Sequence, residues 1–212
     1  MKLKMENNKY PIICTGRQVG SGGGTIARLL AKEFGAKLYD KELLNLAARE
    51  SGFSEKFFEQ NDEHRSFLKS LFHLTPHINT DINLYNNNFS EEGLFLFQSE
   101  AIRKASQEGP CVFVGRTADY ILRDNPNAVS VFITANEEQR IATISERLGI
   151  DNTAARKFIS DTEDKRSTYY NYYTGRKWGH ADSYDLCINS TLLGIEETAR
   201  FIAGFVKQKL EL

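Results

Sequence analysis

A glycine-rich loop between an apolar run and an amphipathic segment constrains the fold of this chain more than any other feature. The apolar run, residues 10–15, is short and continuous, as expected of a buried parallel strand. The loop that follows spans residues 16–25 and has the sequence GRQVGSGGGT. Apolar residues then recur at helical spacing over 25–34. Glycines let the backbone curl tightly, and a helix N-terminus favours an anion, so this context predicts a phosphate loop. The alternative is a turn that only connects strand to helix.

The loop departs from the standard pattern G-x-x-x-x-G-K-[ST]. Gly23 stands where the lysine is expected, and Arg17 stands at the leading glycine position. Loss of the lysine removes a point charge that normally reaches the outer phosphates. Arg17 is predicted to supply the missing cation, because its planar fork suits phosphate oxygens. The residues predicted to hold the phosphates of the donor nucleotide are Gly20, Ser21, Gly22, Gly23, Gly24 and Thr25.

Apolar runs and helical patterns alternate along the rest of the chain. Strands are predicted over 36–39, 111–114, 129–134 and 184–189, and helices over 41–50, 55–69, 90–107, 117–122, 137–148, 151–166 and 196–209. This alternation predicts an α/β fold of the P-loop NTPase type, a doubly wound five-stranded parallel sheet with helices on both faces.

The length of 212 residues fits one domain over 1–212. Two insertions are predicted in it, an acceptor-binding insertion over about 51–108 and a lid over about 151–182. The polar, Asn-rich stretch 73–88 is predicted to be a long loop that serves as a lid or binding segment.

Composition argues against several functional classes. The formal net charge of -1 and the pI near 6.4 give no global positive field for a nucleic-acid polymer. No apolar run reaches the roughly 18 residues of a membrane span, and the polar stretch 1–10 lacks the core of a signal peptide. The cysteines Cys14, Cys111 and Cys187 are far apart, each in an apolar run. They are predicted to be buried, reduced thiols of a cytoplasmic protein.

The loop sequence GRQVGSGGGTIA, followed by Leu38, Tyr39 and Asp40, resembles the cytidylate kinase-like family of bacterial proteins, which is related to true cytidylate kinases. The similarity extends to residues 98–103, 114–122 and 169–189 and weakens between 53 and 88. The resemblance implies a kinase that uses ATP and Mg²⁺ and acts on a nucleoside monophosphate, with CMP or dCMP as the leading substrates. The alternative is a non-catalytic, regulatory nucleotide-binding protein that kept the fold and lost the lysine.

The same resemblance implies an acceptor site. Asp40 would lie at its mouth, and Arg116 would bind the acceptor phosphate. Both follow predicted parallel strands, at whose carboxyl ends ligands bind in open α/β sheets. Mg²⁺ would bridge the donor phosphates, with a hydroxyl from Thr25 or Ser21, between which the sequence does not decide.

Three further residues are implied in acceptor binding. Gln98 resembles a family glutamine that contacts the acceptor, and Arg103 lies about 140° further round the same helix, so one of the two is expected to be ordinary surface. Asp119 would orient Arg116 or contact the base, the alternative being a helix N-terminal acid. Asp185 would contact the acceptor nucleoside.

The predicted lid carries basic residues among aromatic ones. Kinases of this type supply arginines from a lid between the fourth and fifth strands, so Arg166 and Arg176 are predicted to stabilise the transition state. The alternative is a solvated charged helix. The tyrosines within 169–173 would stack on a nucleotide base or form a contact in a homodimer, and we favour the homodimer because aromatic residues are enriched in interfaces.

Overall fold

The computed structural model describes residues 9–40 and 91–212. Five strands in these residues form one sheet in the order β2-β3-β1-β4-β5, and every neighbouring pair is parallel. The strands are β1 (Ile12–Arg17), β2 (Lys37–Tyr39), β3 (Cys111–Val114), β4 (Ala128–Thr134) and β5 (Leu186–Asn189). The predicted five-stranded parallel sheet is therefore confirmed. The helices predicted over 41–50 and 55–69 and the loop over 73–88 lie outside the described residues.

Helices cover both faces of the sheet. They are α1 (Gly23–Glu33), α2 (Glu91–Ala105), α3 (Ala118–Ile121), α4 (Glu137–Leu148), α5 (Asn152–Thr174) and α6 (Ser190–Leu210), with a short 3₁₀ helix at Ala181–Ser183. Ile13 of β1 packs on the side of α1 and α6, whereas Ile12 and Cys14 pack on the side of α2 and α3. Because both faces are buried, the strands are apolar at successive positions rather than at alternate ones.

Two helices are longer than the sequence pattern predicts. The predicted helix 151–166 begins at its N-cap Asp151 but continues to Thr174, because no glycine or proline interrupts it before Gly175 (φ 65°). The last helix was predicted to begin at 196, whereas α6 begins at Ser190 and is broken at Gly194 (φ 77°). The predicted end of α5 is therefore wrong, whereas the predicted start at 196 agrees with the helical segment that follows the break at Gly194.

The strand register brings three chain segments to one edge of the sheet. Tyr39 pairs with Phe113, and the N–H of Gly115 donates to the carbonyl of Thr15 over 2.9 Å. Arg17 pairs with Ile133 near the end of β4. The residues that follow β2, β3 and β1 therefore emerge side by side, at what we call the carboxyl edge of the sheet.

Two of the three cysteines are buried as predicted. Cys14 and Cys111 lie under α2 and α3, and burial raises the pKa of the Cys111 thiol to about 12. The prediction for Cys187 is wrong, because this residue is exposed on β5, which pairs with β4 on one side only. None of the described helices combines the length and the hydropathy needed to cross a membrane.

Candidate active site

The phosphate loop, residues 16–25, ends in unpaired backbone donors. Gly20 and Gly22 have φ angles of 81° and 72°, which favour glycine, and Gly22 caps α1. The N–H groups of Thr25 and Ile26 both donate to the carbonyl of Gly22. Those of Gly22, Gly23 and Gly24 make no hydrogen bond within the part of the chain that the structure describes. Free N–H groups at a helix N-terminus are a favourable environment for a phosphate.

Arg17 lies across the position where a P-loop lysine would stand. A Cβ atom added to Gly23 would lie 2.6 Å from Cβ and 2.9 Å from Cγ of Arg17. Those atoms are at the root of the side chain, so they cannot move aside easily. The other end of Arg17 reaches the next strand, since a Cβ added at Gly115 would collide with its Nη1 atom. Both glycines thus leave room for the same arginine.

Arg17 shares the carboxyl edge with two further arginines, and we call Arg17, Arg116 and Arg166 the arginine cluster. Nη1 of Arg166, from α5, donates to the carbonyl oxygen of Arg17 over 3.1 Å. Burial, and then the charges of Arg166 and Arg116, lower the pKa of Arg17, against the opposing effect of the Asp40 carboxylate. Guanidinium groups stay charged near neutral pH, so their mutual repulsion is relieved when an anion binds between them.

Arg116 is held in an unusual backbone conformation. It and Thr117 follow β3 with φ angles of 59° and 54°. Left-handed conformations are costly for residues other than glycine and concentrate at functional sites. The guanidinium of Arg116 lies 5.9 Å from the ring centroid of Tyr169 on α5. The hydroxyl of Tyr169 in turn donates to Oε1 of Gln98 over 3.3 Å.

Gln98 and Arg103 lie on different faces of α2, as the sequence predicts, because Gln98 is 1% exposed whereas Arg103 is exposed and pairs with Glu100. Asp40 is exposed, directly after β2. The structure therefore brings together Arg17, Arg116 and Arg166, with Asp40 within electrostatic range of Arg17 and Gln98 linked through Tyr169.

Asp119 and Arg176 lie together on the α3 side of the arginine cluster. The carboxylate of Asp119 accepts a hydrogen bond from the hydroxyl of Tyr170 over 2.7 Å, and burial raises its pKa. Arg176 is exposed, with its guanidinium 5.5 Å from the ring centroid of Tyr120. Asp119 therefore links α3 to α5 through Tyr170 rather than orienting Arg116. Arg176 lies over Tyr120 and outside the arginine cluster.

Asp185 does not lie at the carboxyl edge. It precedes β5, where its carboxylate accepts from the N–H and hydroxyl of Ser130 and pairs with Lys209 over 2.7 Å. The resemblance placed this acid at the acceptor nucleoside, but residues before a parallel strand emerge at the opposite edge of the sheet.

The two hydroxyl groups considered for Mg²⁺ differ in their surroundings. Ser21 is buried, and its hydroxyl donates to the carbonyl of Gln18 within the loop. Thr25 is exposed and accepts from Arg28 over 3.0 Å. Of the two, only Thr25 faces solvent.

The tyrosines of α5 pack within this chain. The ring of Tyr173 stacks on Phe95 of α2 with centroids 4.1 Å apart, Tyr169 contacts Tyr173, and Tyr170 is buried beside Tyr184. Tyr172 remains exposed. All four rings thus make contacts within this chain, since the ring of Tyr172 also lies against Tyr173. Stacking on a nucleotide base and the homodimer both stay predictions.

Sequence reasoning missed Arg140 and Glu163, which contact the loop at Val19. A signal was present, because Arg140 falls on the apolar stripe of α4 beside Ile141 and Ile144, where a charged residue needs a buried partner.

Comparison with known proteins identifies the family and supports the fold. A cytidylate kinase of Methanopyrus kandleri is 24% identical over 208 residues, covering 94% of this chain and 95% of the relative. The crystal structure of an uncharacterized protein from Eubacterium ventriosum is 27% identical, with a TM-score of 0.71 over 93% of this chain and 98% of the other. A gluconokinase from Sinorhizobium meliloti, 10% identical, shares the fold with a TM-score of 0.55 over 96% and 95%. Residues 12–192 match the cytidylate kinase-like family, so the chain belongs to that family of kinase-like nucleotide phosphotransferases.

Proposed function

We propose that this chain transfers the terminal phosphoryl group of ATP to a small phosphorylated acceptor, with CMP or dCMP as the leading candidates. The observation that carries the proposal is the position of Arg17. Its stem fills the space above Gly23, and its guanidinium lies in the arginine cluster. A cation is therefore available at the phosphate loop although the usual lysine is missing.

The donor phosphates would bind the free N–H groups of Gly22, Gly23 and Gly24 at the start of α1. Phosphoryl transfer is catalysed mainly by positioning and by stabilising the charge spread over the transferring group. Arg17 and Arg166 would provide that charge from two sides. Arg17 and Arg166 are half-buried. Because their charges are partly shielded from water, their attraction to the transferring group would be stronger than at an exposed site.

The acceptor would bind at the neighbouring strand ends. Arg116 would pair with the acceptor phosphate, and Asp40 would contact the acceptor from the end of β2. Gln98 would act through Tyr169, to which it is hydrogen-bonded. The choice of CMP or dCMP rests on the similarity to a cytidylate kinase and on membership of the family.

Mg²⁺ would be held mostly by phosphate oxygens and water, as is usual for this ion. Gly24 occupies the position of the loop hydroxyl in the standard pattern, and the hydroxyl of Ser21 is engaged with Gln18. The exposed hydroxyl of Thr25 fits the ion better, one residue further along α1. The ion would neutralise part of the charge of the donor phosphates.

The test is ADP release from MgATP with a panel of nucleoside monophosphates and other small phosphorylated acceptors. We expect turnover with one acceptor and its loss in Arg116→Ala. The same panel without acceptor measures ATP hydrolysis by water and serves as the background. Tight MgATP binding without turnover of any acceptor would contradict the kinase proposal and favour the non-catalytic nucleotide-binding protein, for which the missing lysine is the supporting observation.

A further inference from the structure

Two charged side chains outside the proposed substrate site hold the peptide groups of Val19 from both sides. The N–H of Val19 donates to Oε1 of Glu163 over 2.9 Å, and the carbonyl of Val19 accepts from Nε of Arg140 over 2.8 Å. Nη2 of Arg140 also donates to Oε1 of Glu163 over 2.6 Å. Val19 directly precedes Gly20, so these three hydrogen bonds converge where the phosphate loop begins to turn.

Arg140 and Glu163 form a largely buried ion pair, with side chains 8% and 19% exposed. Removing two charges from water costs about as much as their attraction returns, and apolar replacements of such pairs are often neutral or stabilising. Stability alone is therefore a weak reason for an ion pair at this position. Hydrogen bonds of fixed direction, by contrast, define the conformation of the backbone they hold.

The loop is also pressed against α4 and tied to α6. A Cβ at Gly20 would lie 2.7 Å from the carbonyl oxygen of Arg140, so the loop runs in close contact with the helix backbone. On the other side, the hydroxyl of Ser190 donates to the carbonyl of Ser21 over 2.8 Å. Displacement of α4 or α5 would therefore move the loop relative to α6.

One turn of α5 makes two contacts with this segment. Glu163 and Arg166 are three residues apart and lie on neighbouring positions of the helix surface. Glu163 accepts from Val19, whereas Arg166 donates to the carbonyl of Arg17. The position of the Arg166 guanidinium is thus linked to the conformation of the loop.

We propose that Arg140 and Glu163 are positioning residues, which fix the phosphate loop against α5 and so place the Arg166 guanidinium at the transferring phosphoryl group. The inference rests on the proposed function. Neither side chain touches the substrate. Both act through the peptide groups of Val19 and through Arg166.

The test compares Glu163→Ala, Glu163→Gln and Arg140→Lys with Asp164→Asn as matched control. The control also removes one negative charge from α5, but from the exposed residue next to Glu163. Glu163→Gln keeps the shape and an oxygen acceptor for Val19, so it remains informative if Glu163→Ala fails to fold. Arg140→Lys keeps the charge but cannot donate to Val19 and Glu163 in the same bidentate manner.

In steady-state kinetics with MgATP we expect kcat per folded molecule to fall about 10²-fold in Glu163→Ala, since small misplacements of catalytic groups have effects of that order. Glu163→Gln and Arg140→Lys should fall between this variant and the control, and Asp164→Asn should match the unmodified protein. A purely structural pair would lower the melting temperature of Glu163→Ala without changing kcat of the folded fraction, and that result would overturn the inference.

Amide hydrogen exchange without nucleotide separates this inference from the proposed function. Exchange over residues 17–25 should be faster in the Glu163 and Arg140 variants than in Asp164→Asn, while β3 stays equally protected. Unchanged exchange over 17–25 would overturn the inference whether or not the enzyme turns over. Faster exchange in a protein that phosphorylates no acceptor would support the linkage between loop and helix and leave only the proposed function refuted.

Discussion

The two edges of the parallel sheet, at the carboxyl and amino ends of its strands, differ in whether their charged side chains form ion pairs. At the carboxyl edge, Arg17, Arg116 and Arg166 lie together, and within residues 9–40 and 91–212 none of them forms an ion pair with a carboxylate. Like charges held in a half-buried site destabilise the fold unless an anion binds. The unpaired arginines therefore support the proposed binding of an anionic ligand at this edge.

At the opposite, amino edge, three charged residues at or before the start of β5, β2 and β1 are paired. The pairs are Asp185 with Lys209, Lys37 with Glu108, and Lys9 with Glu211, at 2.7, 3.3 and 2.8 Å. These pairs are exposed or half-buried and contribute little stability each. The two edges therefore differ in whether these charged side chains have an oppositely charged partner.

A large loss of activity is expected at Arg17, the residue at which the loop departs from the standard pattern. Arg17→Gly should lower kcat/KM by about 10³-fold or more, because it removes the cation that replaces the lysine. Gly23→Lys in the presence of Arg17 should also be harmful, since the new Cβ would lie 2.6 Å from Cβ of Arg17.

The double variant Arg17→Gly/Gly23→Lys restores the standard spacing and should recover part of the activity in the same turnover assay. If Gly23→Lys alone is fully active, the two side chains do not compete for one space. The proposed replacement of lysine by arginine would then be wrong.

A second prediction compares Arg166 and Arg176, the two arginines of the predicted lid. Arg166→Ala should lower kcat by about 10²–10³-fold, as for the loss of one group that stabilises transition-state charge. Arg176→Ala should have a much smaller effect, because this exposed side chain lies over Tyr120 and outside the arginine cluster. Equal losses in single-turnover measurements on the two variants would show that the cluster is not the catalytic unit.

A smaller effect on stability should appear at Arg116. Both Arg116→Ala and Arg116→Gly remove the charge and should abolish turnover. Because φ is 59° at this position, the glycine variant should be more stable than the alanine variant by about 1 kcal/mol in urea denaturation. If the alanine and glycine variants are equally stable, backbone strain at Arg116 does not contribute to the difference between the two edges.

The smallest effect is expected at the amino edge. Burial tends to raise the pKa of Asp185, but hydrogen bonds from Lys209 and Ser130 outweigh it and hold that pKa below its usual value. The folded pKa is thus below the unfolded value of about 3.9, so the contribution is present above that pH and lost as pH falls through the folded pKa.

Asp185→Asn should therefore leave turnover unchanged and lower the free energy of unfolding by less than about 1 kcal/mol at neutral pH. The difference between the variant and the unmodified protein should shrink on acidification below about pH 4. Thermal or urea unfolding at several pH values measures it. A loss of turnover in this variant would show that Asp185 does act at the substrate site.

The local sequence pattern predicted the bounds of an element correctly where the burial of each residue follows from its neighbours along the chain. Strand β3 and helix α4 have the predicted bounds, 111–114 and 137–148. The sequence pattern did not predict the end of α5. The residues after Arg166 continue the helix because Tyr173 stacks on Phe95 of α2 and Tyr170 donates to Asp119 of α3. The pattern also did not predict the exposure of Cys187, since an apolar run does not show which strand is the outermost one of the sheet.

The sequence by itself determined the order of the described strands and helices along the chain and the glycine-rich turn between β1 and α1, because glycine conformation and hydrophobic periodicity are local properties of the chain. Only the tertiary structure decided that Arg17 lies over Gly23 and Gly115, that Asp185 lies at the opposite edge of the sheet, and that Glu163 and Arg140 hold Val19. The contacts of Val19 join residues 144 and 121 positions apart, and no local pattern encodes such pairings. They form because packing the helices on one sheet brings distant polar groups to positions where each must find a partner away from water.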